Sequence, residues 1–182
     1  MSSLNCVTKV LVYALIVTIS AMFSVEVSAQ EKLKVSWKTT GENNKYTKRH
    51  VIEVADVPGH AVVIFEIHRT YPAGTGAVYD GVKVKEELIQ GTYDGVAGNG
   101  LVTGYSVLLL ENGDNIYARW QQSSQTVPRS DGPSRASVNG TWLVTGGSGK
   151  FRGIQGVGRF SGWSEPGGAL EIKGDGEYWT PK

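Results

Sequence analysis

Beyond residue 29 the chain has no stretch in which apolar side chains recur at helical spacing. Short runs of β-branched and aromatic residues stand there instead, separated by turn signals, and such runs predict strands. The predicted strands are Leu33–Thr39, His50–Ala55, Ala61–Tyr71, Val82–Tyr93, Gly100–Leu110, Asn115–Ser123, Ser134–Thr145, Gly149–Gln155, Gly156–Trp163 and Leu170–Tyr178. Between them lie Pro58-Gly59, Pro72 to Gly76, Gly98-Asn99-Gly100, Asn112-Gly113-Asp114, Asp131-Gly132-Pro133 and Pro166-Gly167-Gly168. The Asn-Gly of Glu111-Asn112-Gly113-Asp114, flanked by alternating residues, predicts a tight hairpin. Along Ala61–Tyr71, Val63, Phe65 and Ile67 share one face while Glu66, His68 and Thr70 share the other. On Asn115–Ser123, Ile116, Ala118 and Trp120 oppose Tyr117, Arg119 and Gln121. Leu108-Leu109-Leu110 is continuous, which predicts cover on both sides. Many short strands without intervening helices mean a β-sandwich or a β-barrel. We expect an all-β fold: one antiparallel closed barrel of about eight strands, with the sandwich as the alternative.

Composition sharpens this picture. All 24 glycines fall after residue 29, well above the ordinary share of about 7%. Each interior glycine weakens a helix by about 1 kcal/mol relative to alanine, so helices are disfavoured and turns and bulges favoured. Gly91-Thr92-Tyr93-Asp94-Gly95 and Gly158-Arg159-Phe160-Ser161-Gly162 share a glycine-aromatic-glycine spacing. That spacing suits tightly bent strands in which a neighbouring ring covers a glycine.

The first 29 residues read as a targeting segment. Lys9 precedes an apolar run from Val10 to Phe23, and Val27-Ser28-Ala29 offers the small residues a signal peptidase reads. The run is about fourteen residues, short of the roughly 20 needed to span a bilayer. The expected division is therefore a signal peptide over 1–29 and a β-barrel domain over 30–182, with a secreted or periplasmic destination and no membrane association after cleavage. Cys6 is the only cysteine, so the domain beyond it has no disulfide, thiolate metal site or cysteine nucleophile. With 18 basic and 17 acidic side chains and a net charge of +1, no basic stripe supports a nucleic-acid partner.

The glycine-rich segment Gly146-Gly147-Ser148-Gly149-Lys150-Phe151-Arg152-Gly153-Ile154-Gln155-Gly156-Val157-Gly158-Arg159-Phe160-Ser161-Gly162 resembles the terminal hairpin of the allene oxide cyclase barrel-like family. Asp56-Val57-Pro58-Gly59-His60 and Gly98-Asn99-Gly100 through Gly104-Tyr105 resemble its bacterial members more weakly. The resemblance spans His50 to Trp179. It implies an eight-stranded antiparallel barrel, related in shape to dirigent proteins and often trimeric, with an apolar cavity and neither metal nor organic cofactor. Plant members of that family cyclise an unsaturated epoxy fatty acid, so the resemblance implies a cofactor-free cyclase or isomerase acting on an apolar small molecule. A non-catalytic exported barrel carrying an apolar ligand is the alternative.

Several other chemistries fail on spacing. A phosphate loop over 144–151 would need glycine at Val144 and Ser or Thr at Phe151, and the dinucleotide fingerprint at 156–161 would need glycine at Ser161. No Gly-x-Ser-x-Gly elbow occurs. His50, His60 and His68 form no local metal-ligand spacing. Glu66 and His68 stand two residues apart on one strand face, about 6 to 7 Å from each other. In a lumen, burial would raise the Glu66 pKa and the imidazole would shuttle a proton; on the solvent face both are simply wet. Arg119 stands between Tyr117 and Gln121, either facing Glu66 in the interior or lying at the surface. Glu66, His68, Arg119 and Tyr105 are the candidate catalytic residues.

Overall fold

The computed structural model describes residues 30–165 and 170–180. The expected signal segment and the turn expected at Pro166-Gly167-Gly168 lie outside the described residues. Ten strands form the domain: β1 (Leu33–Thr39), β2 (Asn44–Glu53), β3 (His60–Thr70), β4 (Val78–Tyr79), β5 (Val82–Val96), β6 (Asn99–Leu110), β7 (Asn115–Val127), β8 (Arg135–Gly147), β9 (Gln155–Ser164) and β10 (Leu170–Trp179). Every pairing is antiparallel, in the order β1-β10-β9-β8-β7-β6-β5-β3-β2, with β4 attached to β5. Among the described residues no helix is long and apolar enough to cross a membrane.

The all-β antiparallel expectation holds, but the closed barrel does not. No ladder joins β1 to β2, so both remain edges of one continuous sheet. The gap is bridged instead by the segment after β3. Lys38 of β1 donates its amide to the Thr75 carbonyl at 3.0 Å, and Asn44 Nδ2 donates to Thr39 Oγ1 at 3.2 Å. The connection between them is the short 3-10 turn over Gly41–Asn43. β2 carries Lys45, Lys48, Arg49 and His50, charges that discourage another strand from adding to this exposed edge.

One face of the curled sheet forms the interior. Its lower end is packed solid by Leu110, Ile116, Phe151 and Ile154, each at most 1% exposed, together with Tyr79, Val84 and Tyr178. Residues 149–154 are not the strand predicted over Gly149–Gln155. Gly149–Phe151 form a single 3-10 turn, closed by Phe151 donating to Ser148 and Ile154 donating to Phe151. Gly149 sits at φ +50°, against the Asp114 carboxylate, where a Cβ would collide. The turn thereby drives Phe151 and Ile154 into the end of the core. The hairpin expected at Asn112-Gly113 is present, with Gly113 at φ +88° donating its amide to Leu110.

A single interior row of cross-strand neighbours runs Val35, Gly176, Gly158, Trp142, Trp120, Gly104, Gly91, Phe65, Arg49 across eight of the strand pairings. Large rings and glycines fall next to one another in it, so the rings lie down against bare backbone and the sheet can bend sharply over them.

Candidate functional site

The packing at the lower end does not continue upward. Above it the inner faces of β1, β2, β3 and β5–β10 line a partly open cavity of about 410 Å³. Its walls are largely aromatic and aliphatic, with Trp37, Phe65, Trp120, Trp142 and Phe160 among them. A concave pocket of this size that joins apolar walls to polar groups is the ordinary form of a small-molecule site.

Arg49, Gln122, Ser124 and Ser164 also line the cavity, and a buried charged pair belongs to a cluster on β3 and β5. Arg69 and Glu87 are register partners, and Asn44 is the partner of Arg69 on the other side. Arg69 Nη1 donates to Glu87 Oε2 at 2.9 Å, and Tyr71 Oη donates to the same oxygen at 2.6 Å. Arg69 Nε donates to Asn44 Oδ1 at 2.7 Å. The guanidinium lies 5.7 Å from the centre of the Trp37 ring, within cation–π range. Arg69 is 5% exposed and Glu87 8%. Burial is the largest single influence and opposes the charge on Arg69, but Glu87 and Tyr71 together outweigh it, so the guanidinium pKa is raised. Burial first, and then the Glu87 charge, push the Tyr71 hydroxyl far above the ordinary phenol range. Tyr71 therefore keeps its proton and donates it as a hydrogen bond to Glu87. Close by, Trp120 Nε1 donates to Ser106 Oγ at 3.1 Å across the cavity wall.

The four residues expected as catalytic do not face this cavity. Glu66 and His68 alternate with Phe65 and Ile67, Tyr105 with Gly104 and Ser106, and Arg119 with Ala118 and Trp120, and it is the latter members of each set that point inward. The interior alternative for Glu66 and His68 is thus corrected to the outer one, because the apolar stripe Val63-Phe65-Ile67 claims the core. Tyr105 is 68% exposed. Register nevertheless lines up Lys48, Glu66, Gln90, Tyr105, Arg119 and Leu143 as successive neighbours. Glu66, Tyr105 and Arg119 share a broad, solvent-open hollow of about 930 Å³ on the outer face. Arg119 forms no ion pair among the described residues, since β5 and β6 separate it from Glu66. His68 Nε2 lies instead 3.0 Å from Glu86 Oε2.

Glu66 is held in a fixed acceptor role. Gln90 Nε2 donates to it at 2.9 Å, Thr47 Oγ1 at 2.8 Å and Lys48 Nζ at 3.2 Å. These bonds, that from Gln90 foremost, lower its pKa to about 2. A carboxyl group so acidic does not serve as a general acid near neutral pH. His60 is the most constrained histidine, with Nδ1 2.6 Å from Asp56 Oδ1 and Nε2 2.9 Å from Asp94 Oδ1. Among the described residues no three His, Cys, Asp or Glu side chains converge as a metal site.

The interior residues were detectable only in part. Arg69 and Tyr71 continue the parity of Val63, Phe65 and Ile67, so a charged side chain standing on the core stripe was the available signal. Glu87 gave none. A bulge between Val84 and Glu86 inserts one residue into β5 and reverses the parity that a regular strand starting from buried Val84 would have had. Compared with known proteins, the chain finds no match among family models, curated proteins or solved structures.

Proposed function

We propose that the domain binds an apolar small molecule inside its curled sheet. The observation that carries this reading is the unfilled interior of about 410 Å³, walled by aromatic rings and holding one buried polar cluster. A domain under selection only for stability would fill such a space, since side chains packed there would bury further apolar surface. Burying an Arg and a Glu in the wall has no stability advantage over apolar residues of the same size. Both features make sense if a guest occupies the remaining room.

A second reading is a cofactor-free cyclase or isomerase of the allene oxide cyclase-like kind, in keeping with the glycine hairpin at 146–162. What favours it is that ionisable groups meet within the sheltered space. Arg69 would polarise an oxygen of the substrate, Tyr71 would hold Glu87 in place beside it, and the walls would hold a flexible chain in one conformation. The exposed Ile64, Leu101, Tyr105 and Val157 on the outer face are consistent with a trimer or other homo-oligomer. Export with cleavage after Ala29 completes the proposal.

Native mass spectrometry of the protein purified from its own host tests these points together. The expected spectrum shows a mature chain beginning at Gln30, in an oligomer, with a retained apolar compound. A spectrum of bare protein that also takes up none of the neutral dye N-phenyl-1-naphthylamine would remove the binding reading. For the enzymatic reading, incubation with the retained compound or its precursor should give an isomer of unchanged mass, with the conversion lost in the paired change Arg69→Met with Glu87→Leu. Recovery of the compound unchanged leaves a carrier.

A further inference from the structure

The polar cluster carries information about the guest. Arg69 uses Nε and Nη1 on Asn44, Tyr71 and Glu87, and Glu87 uses Oε2 on Arg69 and Tyr71. Among the described residues, Arg69 Nη2 and Glu87 Oε1 take no hydrogen-bond partner, and neither is sealed off from the cavity that both residues line. The cavity wall thus offers one strong donor and one strong acceptor side by side. The two charges cancel, so the cluster is neutral as it stands.

Resting on the reading of the interior as a ligand site, we infer that the cavity selects an apolar molecule carrying a neutral hydroxyl and discriminates against a carboxylate. A hydroxyl both accepts and donates, so it would take a hydrogen bond from Arg69 Nη2 and give one to Glu87 Oε1. A carboxylate has no proton to give. It would bring a second negative charge beside Glu87, where the adjacent cation, Arg69, is already paired, while Arg49, the other cation lining the cavity, stands at the Phe65 register position four residues further along β3. An uncompensated buried charge is costly. A pure hydrocarbon would fill the apolar space yet leave both polar atoms without water or partner. The neighbouring rings of Trp37, Trp120 and Phe160 suit a flat or flexible body attached to that hydroxyl.

Calorimetric titration at pH 7 with naphthalene, 2-naphthol and 2-naphthoate tests the inference on one shared ring system. In the unmodified protein 2-naphthol should bind about tenfold or more tightly than naphthalene, and 2-naphthoate at least tenfold more weakly than 2-naphthol. Glu87→Gln removes the counter-charge and should reverse the order, with 2-naphthoate now ahead of 2-naphthol. Because that variant strands the guanidinium, the paired change Arg69→Met with Glu87→Leu provides a second arm. It should abolish the advantage of 2-naphthol while naphthalene still binds. If naphthalene binds but 2-naphthol gains nothing, or if 2-naphthoate binds tightest to the unmodified protein, the hydroxyl assignment falls and the ligand site stands. If none of the three binds, the ligand site itself is refuted.

Discussion

Trp120 and Trp142 face each other across the β7–β8 ladder and lie down in opposite directions. The Trp120 ring covers Gly104 and Gly91 on β6 and β5, and the Trp142 ring covers Gly158 and Gly176 on β9 and β10. Four glycines on four strands therefore serve two rings. At each of these sites the space a Cβ would need is already taken by an indole edge.

The sharpest test of that arrangement is Gly104→Ala. The added Cβ would collide with the Trp120 ring and with the Gln90 carbonyl. Overpacking of this kind costs about 1–3 kcal/mol, to be read from urea unfolding. Gly132→Ala is the matched control: nothing lies within 4 Å of its Cβ position. It should be neutral, or stabilising by about 0.4–1 kcal/mol through the unfolded state. Equal effects at the two positions would contradict the packing argument.

The ion pair inside the wall makes a prediction of a different form. Arg69→Met alone leaves Glu87 buried without its cation and should destabilise by about 3–5 kcal/mol. Changing Glu87→Leu as well should recover most of that loss, because no charge is then stranded. A double variant as unstable as the single one would mean that the pair itself, rather than the unpaired charge, sets the cost.

His60 gives the domain a dependence on pH. Its pKa is raised by the hydrogen bonds to Asp94 and then Asp56, while that of Asp56 is lowered chiefly by His60. A raised histidine pKa stabilises fully below the unfolded value of about 6.5, and that contribution is lost as pH climbs through the folded value. A lowered aspartate pKa stabilises above about 3.9 and is lost as pH falls through the folded value. The difference in Tm between the unmodified protein and His60→Gln should thus be largest from about pH 4 to 6.5 and shrink above it. A difference that stays constant up to pH 9 would show that the imidazolium is not responsible.

Ala97 occupies the first position of the two-residue β5–β6 turn at φ +50°, followed by Gly98 at φ +83°. Asn is much better suited to this backbone, and Asn-Gly is the favoured pair for such a turn. Ala97→Asn should raise stability by about 0.5–1 kcal/mol, measured by thermal unfolding. A loss of stability would indicate that the Ala97 methyl contact with the Gly59 loop outweighs the backbone.

Strand content was legible from alternation and turn chemistry, and Leu33–Thr39 is reproduced to the residue. The segment 149–155 was misread because Phe151 and Ile154 look like strand residues; only the contacts of Asp114 with that loop make it a turn. Closure was not legible at all. Whether β1 and β2 meet depends on how the sheet coils over its rings, a property of all the strands together. On the candidate site, alternation put Glu66 and His68 on one face correctly. It left open which face a curled sheet turns inward, and the burial of Val63 and Ile67 decides it. Glu87 stayed hidden because one inserted residue in β5 changes the side to which every later residue points.

The unstitched seam between β1 and β2 alters what the domain can do mechanically. In a fully laddered cylinder, strand number and stagger fix the girth, and widening it means breaking backbone hydrogen bonds. Here the circumference is interrupted by a joint made of side chains and a few loop contacts. The wall can spring apart along that line and close again without unzipping a ladder, much as a split ring admits an object wider than its resting gap. Hydrogen exchange should register this as amides on the free side of β2 exchanging well ahead of those between β5, β6 and β7.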